Sequence, residues 1–207
     1  MKYLLTGGSG LLGTELQKHL DCDALTHLQM DITKPVSMDK KHYDAVIHAA
    51  AYTDVDRAEA ESNQVFDVNL GGTLNMLYEF GLTPFVYIST EYARNPVNMY
   101  SASKYAGEVA VKILAEKYLI IRTLFKPSPW PWDNAFADSW TNGDYVEVIA
   151  PLIAQEIEKW NWNRESKLVY VGTGRKTMFE LAIKTKPDVK PAYLKDWQGV
   201  KRQFDYQ

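Results

Sequence analysis

Cysteine is nearly absent: Cys22 is the single example in 207 residues. That excludes an internal disulfide framework and a multi-cysteine metal site, and it sets the expectation of a reducing, cytoplasmic setting. Long apolar runs are missing too. None approaches the ~20 residues that cross a bilayer, and Tyr3-Leu4-Leu5 breaks into glycine too soon for a signal-peptide core. Positive charge is not in excess: 23 Lys and Arg stand against 26 Asp and Glu, a formal net charge of −3. Neither nucleic acid nor a membrane is therefore expected as a partner. Internal repeats and low-complexity stretches are not found. With 46% hydrophobic and 24% charged residues the chain reads as globular rather than disordered. Its length suits one domain with a small appendage.

What is present is unevenly distributed. Residues 1–100 carry 7 basic and 13 acidic residues, whereas from Lys159 onward there are 11 basic and 5 acidic. A solvated surface explains the basic end, and a face towards a phosphorylated ligand is the sharper alternative. All six tryptophans fall between Trp130 and Trp197. A regular first part thus gives way to an aromatic, basic second part.

Apolar patterning predicts strands at Lys2–Thr6, Ala24–Leu28, Ala45–Ala49, Phe85–Ile88, Leu119–Ile121 and Leu168–Val171. Helices are predicted over Leu11–Leu20, Val36–Lys41, Val65–Phe80, Tyr100–Lys117, Asp144–Trp160 and Lys176–Lys184. Val65, Val68, Leu74, Leu77 and Tyr78 are the expected inward positions of the third helix, and its Gly71-Gly72 pair suggests close packing on a sheet. Strands alternating with helices imply parallel pairing and a three-layer α/β sheet. Lys126–Gly143, with three prolines and three tryptophans, and the tail from Pro187 read as irregular.

Two motifs carry chemistry. Gly7, Gly10 and Gly13 follow the first strand and open the first helix. In that context the first permits a sharp turn, the second lets a pyrophosphate approach the backbone, and the third lets helix and strand lie close. Free N–H groups at the helix start then face the phosphate charge. The second strand ends in Thr26-His27 without an acid, which leans towards a 2′-phosphorylated cofactor, NADP(H), with NAD(H) as the other choice. The other motif is Tyr100-Ser101-Ala102-Ser103-Lys104, whose spacing of four puts phenol and ammonium on one helical face. A nearby ammonium is expected to lower the phenol's pKa so that it exchanges protons near neutrality. Ser89-Thr90 at the preceding strand end offers hydroxyls to the same oxygen.

Further segments sharpen the reading: Asp31-Ile32-Thr33, His48-Ala49-Ala50-Ala51-Tyr52-Thr53, Val55-Asp56-Arg57-Ala58-Glu59, Val68-Asn69, Ile88-Ser89-Thr90-Glu91-Tyr92 and Ile121-Arg122-Thr123. Together with the two motifs, in this order, they resemble the dTDP-4-dehydrorhamnose reductase family of the extended short-chain dehydrogenase/reductase superfamily. The resemblance runs from Met1 to about Pro127. It implies a Rossmann-like, doubly wound parallel sheet over residues 1–125, with residues 126–207 forming a small, partly irregular substrate-binding part packed on the same sheet.

The same resemblance implies roles. The backbone at Gly10-Leu11-Leu12 would hold the pyrophosphate, Asp31 and Ile32 would lie by the adenine, and Ala51-Tyr52-Thr53 would line the ribose side. Tyr100 would donate the proton. Lys104 would hold the nicotinamide ribose, and Thr90 the sugar's reacting oxygen. Glu91 stands where the family usually has Asp, and Phe125 where it often has Trp; both are candidate substrate contacts. The loop between Glu91 and Tyr100 is short for the family, and so is the whole substrate region. The implied activity is reduction of a keto group on a nucleotide-linked deoxy sugar with NAD(P)H, in polysaccharide precursor synthesis. The alternatives are an epimerase or dehydratase of the same superfamily and a non-catalytic NADP-binding regulatory protein. A homodimer is compatible with the resemblance. Asp54, Asp56 and Glu59 read as a loop and helix-start feature rather than a metal site. Trp130, Trp132 and Trp140 read either as a lid or sugar-stacking wall, or as core cover or a dimer contact. Gly172–Lys176 reads as a turn with solvated charges.

Overall fold

The computed structural model describes residues 1–38, 43–162 and 165–201. Six parallel strands make the central sheet. They are β1 (Tyr3–Thr6), β2 (Cys22–Leu25), β3 (Ala45–His48), β4 (Phe85–Thr90), β5 (Tyr118–Thr123) and the strand Lys167–Tyr170. Across the sheet the order is Lys167–Tyr170, β5, β4, β3, β1, β2. Chain order therefore reverses between β1 and β3, whose Thr6 and His48 are register partners. In sheets of this kind the crevice beyond the strands' carboxyl ends at such a reversal is where ligands bind.

Alternation along the strands feeds two cores. Leu5, Ile47, Val86, Ile88, Leu119 and Ile121 face α1 (Leu11–Leu16) and α5 (Val146–Lys159), which contributes Ile149, Ile153 and Ile157. Leu4, Val46, Phe85, Tyr87 and Ile120 face α3 (Gly72–Phe80) and α4 (Met99–Leu114). Each fully buried aliphatic or aromatic side chain contributes about 1.5–3 kcal/mol relative to exposure, so both faces are well anchored. A third cluster, including Tyr92, Leu124, Trp130, Tyr145, Met178 and Leu181, lies under the loops between residues 124 and 194.

The third predicted helix exists but is not uniform. A short α2 (Ser62–Phe66) runs through a π-turn at Asp67–Gly71 into α3. A wide turn changes the helical phase. Met76, Leu77 and Phe80 point inward, whereas Tyr78, expected inside, is 78% exposed. Gly72 does permit a close approach, but to the loop after β2 rather than to the sheet: a Cβ there would lie 2.6 Å from Ile32 Cδ1. The predicted second strand ends early, at Leu25, and Leu28 is exposed. Residues 36–38 are not helical, and the rest of the Val36–Lys41 expectation lies outside the described residues. The last predicted helix shortens to α6 (Met178–Ala182), with a capping box between Thr177 and Glu180. In the irregular stretch, Asn134–Phe136 pairs in parallel with Lys190–Ala192.

Candidate active site

The glycine loop bridges β1 and α1. Gly7 has φ of 74°, a conformation that glycine adopts without penalty. A Cβ on Gly13 would sit 2.1 Å from the Gly7 carbonyl oxygen, so only glycine lets α1 start this close to the loop. The loop forms one end of a cleft of about 580 Å³ at the strand-order reversal. Gly7, Gly10, Leu11, Leu12 and Gly13 line it, with His27, Asp31 and Ile32 beyond β2, Ala51 and Thr53 beyond β3, and Ser89, Thr90, Tyr100, Lys104 and Phe125 at the other end.

The far end is fixed by α4. Asn98 caps that helix reciprocally with Ser101: its side chain accepts from the Ser101 N–H at 2.8 Å. Glu59 Oε1 accepts from the Met99 N–H at 2.8 Å. Tyr100 and Lys104 thus start from a satisfied helix terminus. The Thr90 hydroxyl stands near the Tyr100 phenol, and both line the cleft. Thr90 Oγ1 accepts from the Tyr92 N–H at 3.3 Å, which leaves its own O–H to donate into the cleft. Burial pushes the phenol up to about 12, and the nearby Thr90 hydroxyl works in the opposite direction. The expected lowering by Lys104 is not seen. Lys104 Nζ instead donates to the Ile88 carbonyl at 2.8 Å and lies 4.2 Å from the Tyr87 ring centroid. Burial brings Lys104 itself down to about 7, with Glu108 on the next turn opposing that shift.

Beneath the cleft runs a buried polar chain. The Ala50 N–H donates to Thr6 Oγ1 (3.2 Å), leaving the Thr6 hydroxyl to donate to His48 Nδ1 (2.8 Å). Burial and the Lys104 charge push His48 down to about 3, so it stays neutral. Its Nε2–H then faces Thr73 Oγ1 at 3.2 Å, and Thr73 donates onward to the Asn69 carbonyl at 2.7 Å. The tautomer follows from these partners. Asn69 Nδ2 donates to Ser103 Oγ at 2.8 Å, and Ser103 donates to the Tyr100 carbonyl at 2.8 Å. Beside it, Glu108 is fully buried. It accepts from Ser89 Oγ (2.5 Å) and from Arg122 Nε (2.8 Å) and Nη2 (2.7 Å).

The RmlD substrate binding domain family matches residues 1–126. The chain belongs to this family. The dTDP-4-dehydrorhamnose reductase of Mycobacterium tuberculosis is 29% identical over 180 residues, covering 74% of this chain and 56% of that protein. The Bacillus subtilis spore coat polysaccharide biosynthesis protein SpsK is 31% identical over 147 residues, 59% of this chain and 52% of its own. Among solved structures, a dTDP-4-dehydrorhamnose reductase from Bacillus anthracis in complex with NADP superposes with a TM-score of 0.81 at 27% identity, covering 98% of this chain and 87% of the other. The matched region spans little more than half the length of these two curated relatives.

Within this RmlD-family chain the cleft gathers most of the residues singled out from sequence. Two stand apart. Tyr52 is not among the lining residues: its hydroxyl donates to Glu61 Oε2 at 2.6 Å and its N–H to Asn69 Oδ1 at 2.8 Å. Its neighbours Ala51 and Thr53 do line the cleft. Glu91 is buried away from it, accepting from Thr141 Oγ1 at 2.8 Å and from the Asn142 N–H at 3.3 Å. It pins the loop after β4 to residues 141–142. Ser89 and Thr90 do not act together, because alternation turns the Ser89 hydroxyl to Glu108, while Thr90 stays beside Tyr100 at the cleft.

Asp54 Oδ1 accepts from the N–H groups of Asp56 (3.1 Å) and Arg57 (3.0 Å), a helix-start arrangement. Among the described residues no His/Cys/Asp/Glu group is arranged to hold a metal. In the Gly172–Lys176 turn, Lys176 Nζ donates to the Gly143 and Gly174 carbonyls, and Arg175 lies 4.4 Å from the Trp140 ring centroid. The sequence reading missed the roles of His48, Asn69, Glu108 and Arg122. Glu108 carried a signal, since it lies one helical turn beyond Lys104.

Proposed function

We propose that this chain reduces a keto group of a nucleotide-linked deoxy sugar, with NADP(H) favoured over NAD(H). One observation carries the reading: Tyr100, Lys104 and Thr90 line the same cleft as the glycine loop. The fit to a dinucleotide is good. Gly10 has only the Gly7 carbonyl near its missing Cβ, at 3.2 Å, so backbone is what the loop presents to the cleft. Gly10, Leu11 and Leu12 would hold the pyrophosphate, with Ile32 and Asp31 at the adenine and Ala51 and Thr53 at the ribose. Asp31 is already engaged by the Thr33 hydroxyl at 2.7 Å and by Lys34 at 3.2 Å, and His27 lines the cleft just beyond β2. Both features suit a 2′-phosphate better than a free 2′-hydroxyl.

When bound, the nicotinamide supplies the hydride. Thr90 orients the substrate carbonyl through its hydroxyl. Tyr100 then gives its proton to the oxygen that becomes an alkoxide. With its pKa near 12 the phenol keeps that proton at neutral pH, yet it is still a stronger acid than the alcohol being formed, so the transfer runs downhill. Lys104 offers its ammonium to the ribose hydroxyls. Phe125 packs at the sugar end. A homodimer and a cytoplasmic setting belong to the same proposal. The exposed stripe Tyr105, Val109 and Ile113 on α4 supports the first, and the single cysteine the second. Among the described residues no helix is long and apolar enough to cross a membrane.

The test mixes protein, NADPH and a panel of nucleotide 4-keto sugars and follows absorbance of the reduced cofactor. Consumption that falls by about 10²–10⁴-fold in Tyr100→Phe supports the reading. Tight NADPH binding without turnover on any sugar replaces it with the regulatory alternative.

A further inference from the structure

Lys104 is buried yet lines the cleft, and a residue that does not line the cleft holds it at two points. That residue is Tyr87, fully buried on β4 and packed towards α4. Lys104 Nζ lies 4.2 Å from the Tyr87 ring centroid, inside the roughly 6 Å over which a ring face attracts a cation. The Tyr87 hydroxyl reaches on to the helix backbone and donates to the Lys104 carbonyl at 3.4 Å. Gly107 makes room for that reach, since a Cβ there would lie 2.2 Å from Tyr87 Oη. Against the same ring packs the His48 imidazole, with centroids 5.9 Å apart. Burial keeps that imidazole uncharged and the Tyr87 phenol protonated. An ammonium has three N–H donors, and the Ile88 carbonyl takes one of them at 2.8 Å.

We propose that the Tyr87 ring is the seat of the Lys104 ammonium, a positioning residue that keeps the lysine charged and in place at the cleft. The proposal rests on the reductase reading above and deepens it by naming what supports the lysine. Taking an ammonium out of water disfavours its charged form, and burial here brings Lys104 down to about 7. Its surroundings decide how far that goes. Glu108, one turn along α4, favours the charge, but its carboxylate is shared with Arg122 on β5. Tyr100 on α4 keeps its proton at neutral pH, and His48 on β3 is uncharged. On β4 the Ile88 carbonyl and the Tyr87 ring act at the ammonium itself. The negative face of the ring attracts the ammonium and not the neutral amine, so it opposes the effect of burial. An aliphatic side chain of similar volume would fill the space without that face.

Phenylalanine and trifluorinated phenylalanine at position 87 test this, because both keep a ring of nearly the same size while fluorine strips electron density from its face. Carbon-13 NMR of labelled lysine side chains follows the Lys104 titration in the cofactor-free protein, with Lys104→Met assigning the signal. Tyr87→Phe keeps the face and should leave the midpoint where the parent has it. The trifluorinated ring should lower it by about one pH unit, the size of a desolvated cation–π contact. NADPH affinity of the trifluorinated protein should then be about tenfold weaker than the parent's at about pH 8 and equal to it at about pH 5, where both lysines are charged. A merely structural role would weaken binding by one factor at every pH. A midpoint that the trifluorinated ring leaves unmoved overturns the proposal. So does a Tyr87→Phe midpoint that falls as far as the trifluorinated one, which would transfer the effect to the hydroxyl. The NMR readout needs no turnover. If fluorination moves the midpoint but the parent reduces no keto sugar, the seat stands and the reductase reading falls; reduction with a midpoint blind to fluorination gives the reverse.

Discussion

Glu108 and Arg122 form a buried pair whose removal has a calculable effect. The Glu108 side chain is 0% exposed and that of Arg122 10%, with Nη2 and Oε2 2.7 Å apart. Arg122 also donates to the Tyr170 hydroxyl at 2.7 Å and the Ala93 carbonyl at 3.1 Å, so one guanidinium ties β5 to α4, to Lys167–Tyr170 and to the loop after β4. Glu108→Gln keeps the shape and deletes the charge. A buried guanidinium then keeps only neutral partners, which costs about 3–5 kcal/mol. For a chain of this size that corresponds to a melting temperature lower by about 6–20 °C.

Scanning calorimetry on Glu108→Gln, Arg122→Met and the double variant checks the account. The double variant should lose less than the two singles together, because a buried pair replaced on both sides is often close to neutral. Ser89→Ala isolates the third bond to Glu108 and should cost about 1 kcal/mol. Single variants that each lose under about 0.5 kcal/mol, or a double loss that is simply additive, would refute the assignment of this pair as a coupled anchor.

Two further predictions concern the cleft itself. Lys104 is brought down to about 7, so its ammonium is lost as pH rises through neutrality, and NADPH affinity should weaken from about pH 6 to about pH 9, a slope that Lys104→Met abolishes. The unfolded chain keeps this proton up to the ordinary lysine value of 10.5, so between about 7 and 10.5 the unfolded state binds more protons and this group makes stability rise with pH. A fluorescence titration of NADPH that is flat with pH in the parent protein counts against the cofactor role of Lys104. Gly13→Ala, whose Cβ would meet backbone at 2.1 Å, should cost about 1–3 kcal/mol and most of the NADPH affinity. Gly71→Ala has 3.9 Å of room in a helical conformation and should stabilise by about 0.4–1 kcal/mol. Equal urea midpoints for the two variants would contradict the geometry.

How much of this could be read beforehand depends on the range of each signal. The glycine loop and the Tyr100/Lys104 pair are local: spacing along one turn and one helix fixes them, and both line the cleft. The sheet followed from apolar runs bounded by breakers. Inward and outward positions failed where phase changed. The π-turn at Asp67–Gly71 sends Tyr78 to solvent, and nothing in a period of 3.6 announces a wide turn. Tyr52 sits between two residues that do line the cleft, and its direction is set by Asn69 and Glu61, 17 and 9 positions away.

The partners that escaped sequence reading are those joined by sheet register. Ser89 pairs with Arg122 and Thr90 with Thr123 across β4 and β5. Along β4, Tyr87 and Ser89 turn towards α4, while Ile88 packs on the α1 and α5 side. A slip of one residue would exchange those faces, placing Thr90 against Glu108 and withdrawing its hydroxyl from the cleft. The Ser89–Glu108–Arg122 cluster therefore does two things at once. It offsets the charges of two buried ions, and it belongs to the register in which Ser89, not Thr90, meets Glu108. Ser89→Ala should therefore loosen the cluster around Glu108 while leaving Thr90 at the cleft.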